Sequence, residues 1–94
     1  TVMALALVHH LAISNNVPLE KLSRFFATLA RYLVVEFIPK EDSQVRRLLA
    51  TRADIFPDYH VKGFERAFAE QFRILRKESI RNSSRVLYLL EKTI

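Results

Sequence analysis

Tyr32-Leu33-Val34-Val35-Glu36-Phe37-Ile38-Pro39-Lys40-Glu41-Asp42 is an apolar, β-rich run that ends in a proline and three charges. Val34, Val35, Phe37 and Ile38 favour a pleated environment covered on two sides, the pattern of a strand in a parallel sheet with helices on both faces. Pro39 has no amide hydrogen and stops the ladder. In open α/β sheets the working residues sit just beyond the carboxyl ends of the strands. Glu36, Lys40 and Asp42 therefore occupy the place where chemistry is expected, although a solvated loop with a helix cap reads equally well from the same residues.

Upstream, Val2 to Ile13 is rich in Val, Leu and Ala and is interrupted by His9-His10. The Ser14-Asn15-Asn16 turn that follows favours a strand of roughly six to eight residues, Val2 to Val8, with both histidines at its carboxyl end. Adjacent strand residues point to opposite faces, so one histidine faces a cleft and the other the protein body. Two histidines without Asp, Glu or Cys at ligand spacing do not make a metal site, and no metal is expected. Pro18 then opens a helix whose stripe is Leu19, Leu22, Phe26, Leu29 and Leu33, closed by Arg31 against its dipole.

Downstream, Asp42 or Ser43 caps a short helix with the face Val45, Leu48 and Leu49, ringed by Arg46, Arg47 and Arg52. Pro57 keeps the segment Ala53 to His60 irregular; within it Ile55 and Phe56 are suited to filling a gap between helices, whereas Asp58, Tyr59 and His60 suit a loop over a ligand. Val61, Phe64, Ala67, Phe68 and Phe72 restore helical spacing through Glu70. Phe72 to Ser79 and Arg85 to Glu91 form a terminal hairpin around Asn82-Ser83-Ser84. Apolar residues on both sides of the last strand predict an interior strand covered on both faces. The order is strand, helix, strand, helix, helix, strand, strand: an α/β layered sheet with one antiparallel member.

With 94 residues, 50% hydrophobic content and 27% charged residues, the chain fits one domain over residues 1–94. It has no cysteine, which excludes a disulfide framework and a thiol nucleophile and suits a cytoplasmic setting. Val2 to Val8 is too short to span a bilayer, so no membrane partner is expected. The net charge of +5 is spread over several elements. Dispersal argues against a nucleic-acid partner, for which Arg73, Arg76, Lys77, Arg81 and Arg85 are the best case. A single glycine, Gly63, is few for a complete α/β domain, and the chain reads as part of something longer.

Together, His9-His10-Leu11, Glu36-Phe37-Ile38-Pro39-Lys40-Glu41-Asp42, Asp54-Ile55-Phe56-Pro57-Asp58-Tyr59 and Ser84-Arg85-Val86-Leu87-Tyr88 resemble the C-terminal half of class I S-adenosylmethionine-dependent methyltransferases, of the bacterial nodulation-protein type. The resemblance implies a partial Rossmann-like sheet running from the superfamily's fourth strand to its antiparallel seventh strand, which inserts between the fifth and sixth. It implies S-adenosylmethionine as the cofactor of the parent protein. The glycine-rich turn and the acidic ribose and adenine motifs belong to the N-terminal half, and this chain contains no Gly-x-Gly. The isolated chain is therefore expected to bind no cofactor tightly and to be inactive. On the same resemblance, His9 or His10 is the candidate general base, and Glu36, Lys40, Asp42 and Tyr59 line the acceptor side. The missing half is the expected partner, with a homodimer through the exposed first strand as a second possibility. The alternative from the residues alone is a small basic α/β module for nucleic-acid binding or assembly.

Overall fold

The computed structural model describes residues 1–5, 7–50 and 54–93, so Arg52, Ala53 at the start of the irregular segment and Ala6 within the expected first strand lie outside the described residues. Strand β1 (Val2–Ala4) leads through a helical turn into a π-helical segment (His10–Ser14) and helix α1 (Leu19–Leu29). Strand β2 (Tyr32–Phe37), helices α2 (Ser43–Leu49) and α3 (Val61–Phe68), and strands β3 (Phe72–Ser79) and β4 (Val86–Lys92) follow. The four strands form one mixed sheet in the order β1-β2-β4-β3. β1 and β2 are parallel, while β4 runs antiparallel to both of its neighbours.

The central strand and the terminal hairpin form as the pattern predicts. β2 stops at Phe37, two residues before Pro39. β4 is interior, and β3 is the outer strand, blunted by Arg73, Arg76 and Lys77 and by a bulge between Ile74 and Arg76. The hairpin turn uses Asn82 in the left-handed region at φ 59°, where Asn is tolerated. Helix α1 begins after Pro18 and ends at Leu29, so Arg31 lies beyond its last turn and approaches Glu91 instead, at 3.7 Å.

Two expectations are corrected. The first strand is three residues long, not the whole of Val2 to Val8. Leu5 and Leu7 belong to a residue type that favours helix over strand, and from Leu7 the backbone closes helical bonds, with Leu11 N–H donating to the Leu7 carbonyl at 3.2 Å. His9 and His10 therefore sit on a helical turn beyond the strand and not at its carboxyl end.

The sheet is also not covered on both faces. Directly paired residues share a face, and Leu33, Val35, Phe37, Val86, Tyr88 and Leu90 are all buried. Phe64 of α3 packs on this side, 4.9 Å from Phe37 and 5.0 Å from Tyr88 between ring centroids, and Phe26 of α1 stacks behind Phe68 at 6.4 Å. On the opposite face Val34, Leu87 and Leu89 remain half-buried and Met3 is 64% exposed. Apolar character on both sides of a strand shows that two covers are wanted, and one of them is provided by the described residues.

Candidate functional site

The residues beyond the carboxyl end of β2 are held by the strand that returns beside it. Val86 pairs with Phe37, which brings the preceding residue, Arg85, alongside the exit of β2. Its guanidinium grips the Asp42 carboxylate, Nε to Oδ2 at 2.8 Å and Nη2 to Oδ1 at 3.3 Å, and Nη1 lies 3.8 Å from Glu36 Oε2. Asp42 also caps α2, its Oδ1 accepting from the Gln44 N–H at 2.9 Å. The hydrogen bond from Arg85 holds the Asp42 carboxyl below its usual range, and the same bond raises the arginine. One bidentate contact thus ties together the end of β2, the start of α2 and the start of β4.

His9 lies against this knot and is completely buried. Neither of its ring nitrogens has a hydrogen-bond partner among the described residues. Burial first, then the proximity of His10 and Arg85, lower its pKa to about 4, with Asp42 pulling the other way, so the imidazole is neutral at pH 7. His10 is exposed, its ring centroid 4.2 Å from that of His9. The two therefore do face different surroundings, but through the rotation of a helical turn.

Lys40 and Tyr59 belong to a second group. Lys40 Nζ donates to both carboxylate oxygens of Asp54, at 2.9 and 3.0 Å, and to the Phe56 carbonyl at 2.7 Å, so it fastens the irregular loop onto the β2 exit. Tyr59 is buried, its ring 4.9 Å from Phe37 and its hydroxyl donating to the Ile38 carbonyl. Burial drives this phenol well above its ordinary pKa, so it stays protonated. Ile55 is 64% exposed and Phe56 packs at the edge of the core; within the loop, Tyr59 is the wedge. Between these parts lies a cleft of about 370 Å³ lined by Lys40, Glu41, Tyr59, His60 and Ser84 among others, and neither His9 nor His10 lines it.

Gly63 is required here for a local reason. A Cβ on it would lie 2.0 Å from the Asp58 carbonyl oxygen, and its N–H donates to His60 Nδ1 at 3.0 Å, capping α3. The described glycine therefore serves the loop-to-helix turn.

Arg85 escaped the sequence reading as a site residue because it was counted among surface cations. Its signal lies in its place, immediately before a strand that pairs antiparallel with the central one. A further missed group is Glu65, whose carboxylate accepts from the Tyr88 hydroxyl at 2.7 Å and meets Lys77 Nζ at 2.7 Å. Two more hairpin cations are engaged: Arg73 with Glu91, and Arg76 with Glu78 at 2.7 Å. Among the described residues no helix is long and apolar enough to cross a membrane.

Nodulation protein NoeA of Rhizobium meliloti (strain 1021) is 45% identical to the chain over 92 residues. The chain is similar to one segment of a nodulation protein. The match covers 98% of this chain but 19% of NoeA, so the chain spans about a fifth of the length of this curated relative. No family model matches the chain. No solved structure matches it. Since the similarity takes in nearly the whole chain, both polar groups and the sheet that carries them fall within a single stretch of NoeA-like sequence.

Proposed function

We propose that this chain is the C-terminal, acceptor-side part of a class I S-adenosylmethionine-dependent methyltransferase domain, inactive by itself and working in a cytoplasmic protein of greater length. The observation that carries the reading is the sheet order. A final strand that runs antiparallel and inserts between β2 and β3 is the arrangement expected for the last four strands of that superfamily.

The residues present here do not fit the cofactor. Phosphate- and nucleoside-binding turns of open α/β sheets need glycines where the backbone approaches the ligand, and Gly63 is occupied at the start of α3. The cofactor site is accordingly assigned to the part of the domain outside this chain.

On the acceptor side the roles divide by exposure. His10 is the exposed histidine, the one able to meet an acceptor and take its proton. His9 is sealed and neutral, and positions the turn that carries His10. Asp42 and Glu36, fixed by Arg85, present carboxylate oxygens at the strand ends. Lys40 and Tyr59 shape the neighbouring cleft, Lys40 by holding the loop and Tyr59 by bracing it from below. The free edge of β1, with Met3 exposed on the strand and Leu5 and Leu7 exposed just beyond it, is suited to pairing with the rest of the domain or, in the isolated chain, with a second copy.

The test is calorimetric titration of S-adenosylhomocysteine into the 94-residue chain and into the same chain substituted for the matching stretch of full-length NoeA. Binding by the longer protein alone is expected. Binding by neither removes the methyltransferase reading.

A further inference from the structure

The open face of the sheet is patterned in rows that cross the strands. Met3, Val34, Leu89 and Arg76 form one row, Glu36, Leu87 and Glu78 the next, and Tyr32, Glu91 and Arg73 the third. Val34, Leu87 and Leu89 line an open cleft of about 280 Å³ with Arg76 and Glu78 at its rim. A sheet face with an apolar centre gains stability when a second layer takes it up. The face is flanked unevenly. At the carboxyl end of β2 stand Glu36 and Glu78, each with an arginine against it, Arg85 at 3.8 Å and Arg76 at 2.7 Å; at its amino end two guanidiniums, Arg31 and Arg73, share the single carboxylate of Glu91.

We propose that this open face is the docking surface for an amphipathic α-helix supplied by the polypeptide adjoining the segment in a longer, NoeA-like protein, its N-terminus over Glu36 and Glu78 and its C-terminus over Arg31 and Arg73. Three observations select this occupant. The covered face already receives helices α1 and α3, and layered α/β sheets take helices on both sides. The relative matched by almost the whole chain is about five times longer, since the match spans 19% of it, so the covering chain is available in one polypeptide. The amino end of β2 carries one guanidinium more than it has carboxylates, which suits the negative end of a helix running antiparallel to β2.

The inference rests on the part of the proposed function that makes the chain a piece of a larger domain, and not on the methyl-transfer chemistry. Because the chain has no cysteine, single cysteines report cleanly on each surface. Leu89→Cys, Leu87→Cys and, as a control in the exposed loop, Ile55→Cys are placed in the 94-residue chain and in the same chain spliced into full-length NoeA. Each is treated with a water-soluble maleimide, and the labelled peptide is followed by mass spectrometry. Expected is modification of Leu89→Cys and Leu87→Cys about 100-fold slower in the spliced protein than in the chain, with Ile55→Cys equally reactive in both, as an opening-limited packed surface requires. Equal rates for Leu89→Cys and Leu87→Cys in the two proteins overturn the proposal. So does slow labelling in the 94-residue chain together with a dimer in sedimentation, which makes a second copy the cover. Slowing without S-adenosylhomocysteine binding in the spliced protein keeps the docking surface and removes the methyltransferase; binding without slowing does the reverse.

Discussion

On one face of the sheet Leu33, Val35, Phe37, Tyr88 and Leu90 are sealed beneath an aromatic stack, whereas on the other, one residue along the same strands, Val34, Leu87 and Leu89 stand half-exposed between charged rows. The strands supply apolar side chains to both sides, so the difference comes from what lies above each face. The covered face shows what the core of this segment is; the open face shows which apolar surface the described residues leave in contact with water.

Substitution on each face measures that contrast. Phe64→Ala, which removes the ring touching Phe37, Phe68 and Tyr88, is expected to cost about 3–5 kcal/mol in urea unfolding of the chain. Leu89→Ala is expected to cost about 1 kcal/mol or less in the same chain, because little of its surface is taken from water there. Similar losses at the two sites would break the comparison, and a larger loss for Leu89→Ala in the spliced protein would sharpen it.

Between these extremes lies the strand-end cluster, where pH is the probe. His9 has a folded pKa of about 4 against an unfolded value of 6.5, so the unfolded chain takes up the proton first. Its contribution is fully present above pH 6.5, declines as pH falls toward 4, and is flat below that; the total is at most about 3 kcal/mol. His9→Leu is expected to flatten stability across that window, measured by urea midpoints from pH 7 to 4. An unchanged slope in the variant would mean that His9 is reached by solvent.

A smaller effect is expected at the Arg85 knot. Asp42→Ala removes both the cap of α2 and the partner of Arg85, for a loss of about 2 kcal/mol, roughly half of it from the cap. Asp42→Asn keeps an oxygen for the Gln44 N–H and should recover that cap portion. Lys40→Met is expected to leave the global midpoint in place while speeding amide exchange across 54–60, because it releases the loop from the β2 exit and touches little of the core.

The alternation of β-rich and helical spacing, the stop at Pro39, the cap at Asp42 and the hairpin around Asn82 were all legible in the residues, because each depends on neighbours within one or two turns of chain. The first strand was misread for a related reason. A short run of Val, Ala and Leu carries no period that separates strand from helix, and the three-residue β1 exists through its pairing with β2.

The candidate site shows the same division more sharply. That Lys40 and Asp42 lie beyond a strand end was determined by sequence, since the proline and the charges follow the apolar run directly; Glu36 is still inside β2, paired with Leu87. That Asp42 belongs to Arg85, 43 positions away, that Lys40 belongs to the loop at Asp54, and that His9 is inside while His10 is outside were decided by tertiary structure alone. Strand pairing sets those partners, and pairing between distant strands depends on which faces are buried together, a property of the assembled sheet and not of any one stretch within it.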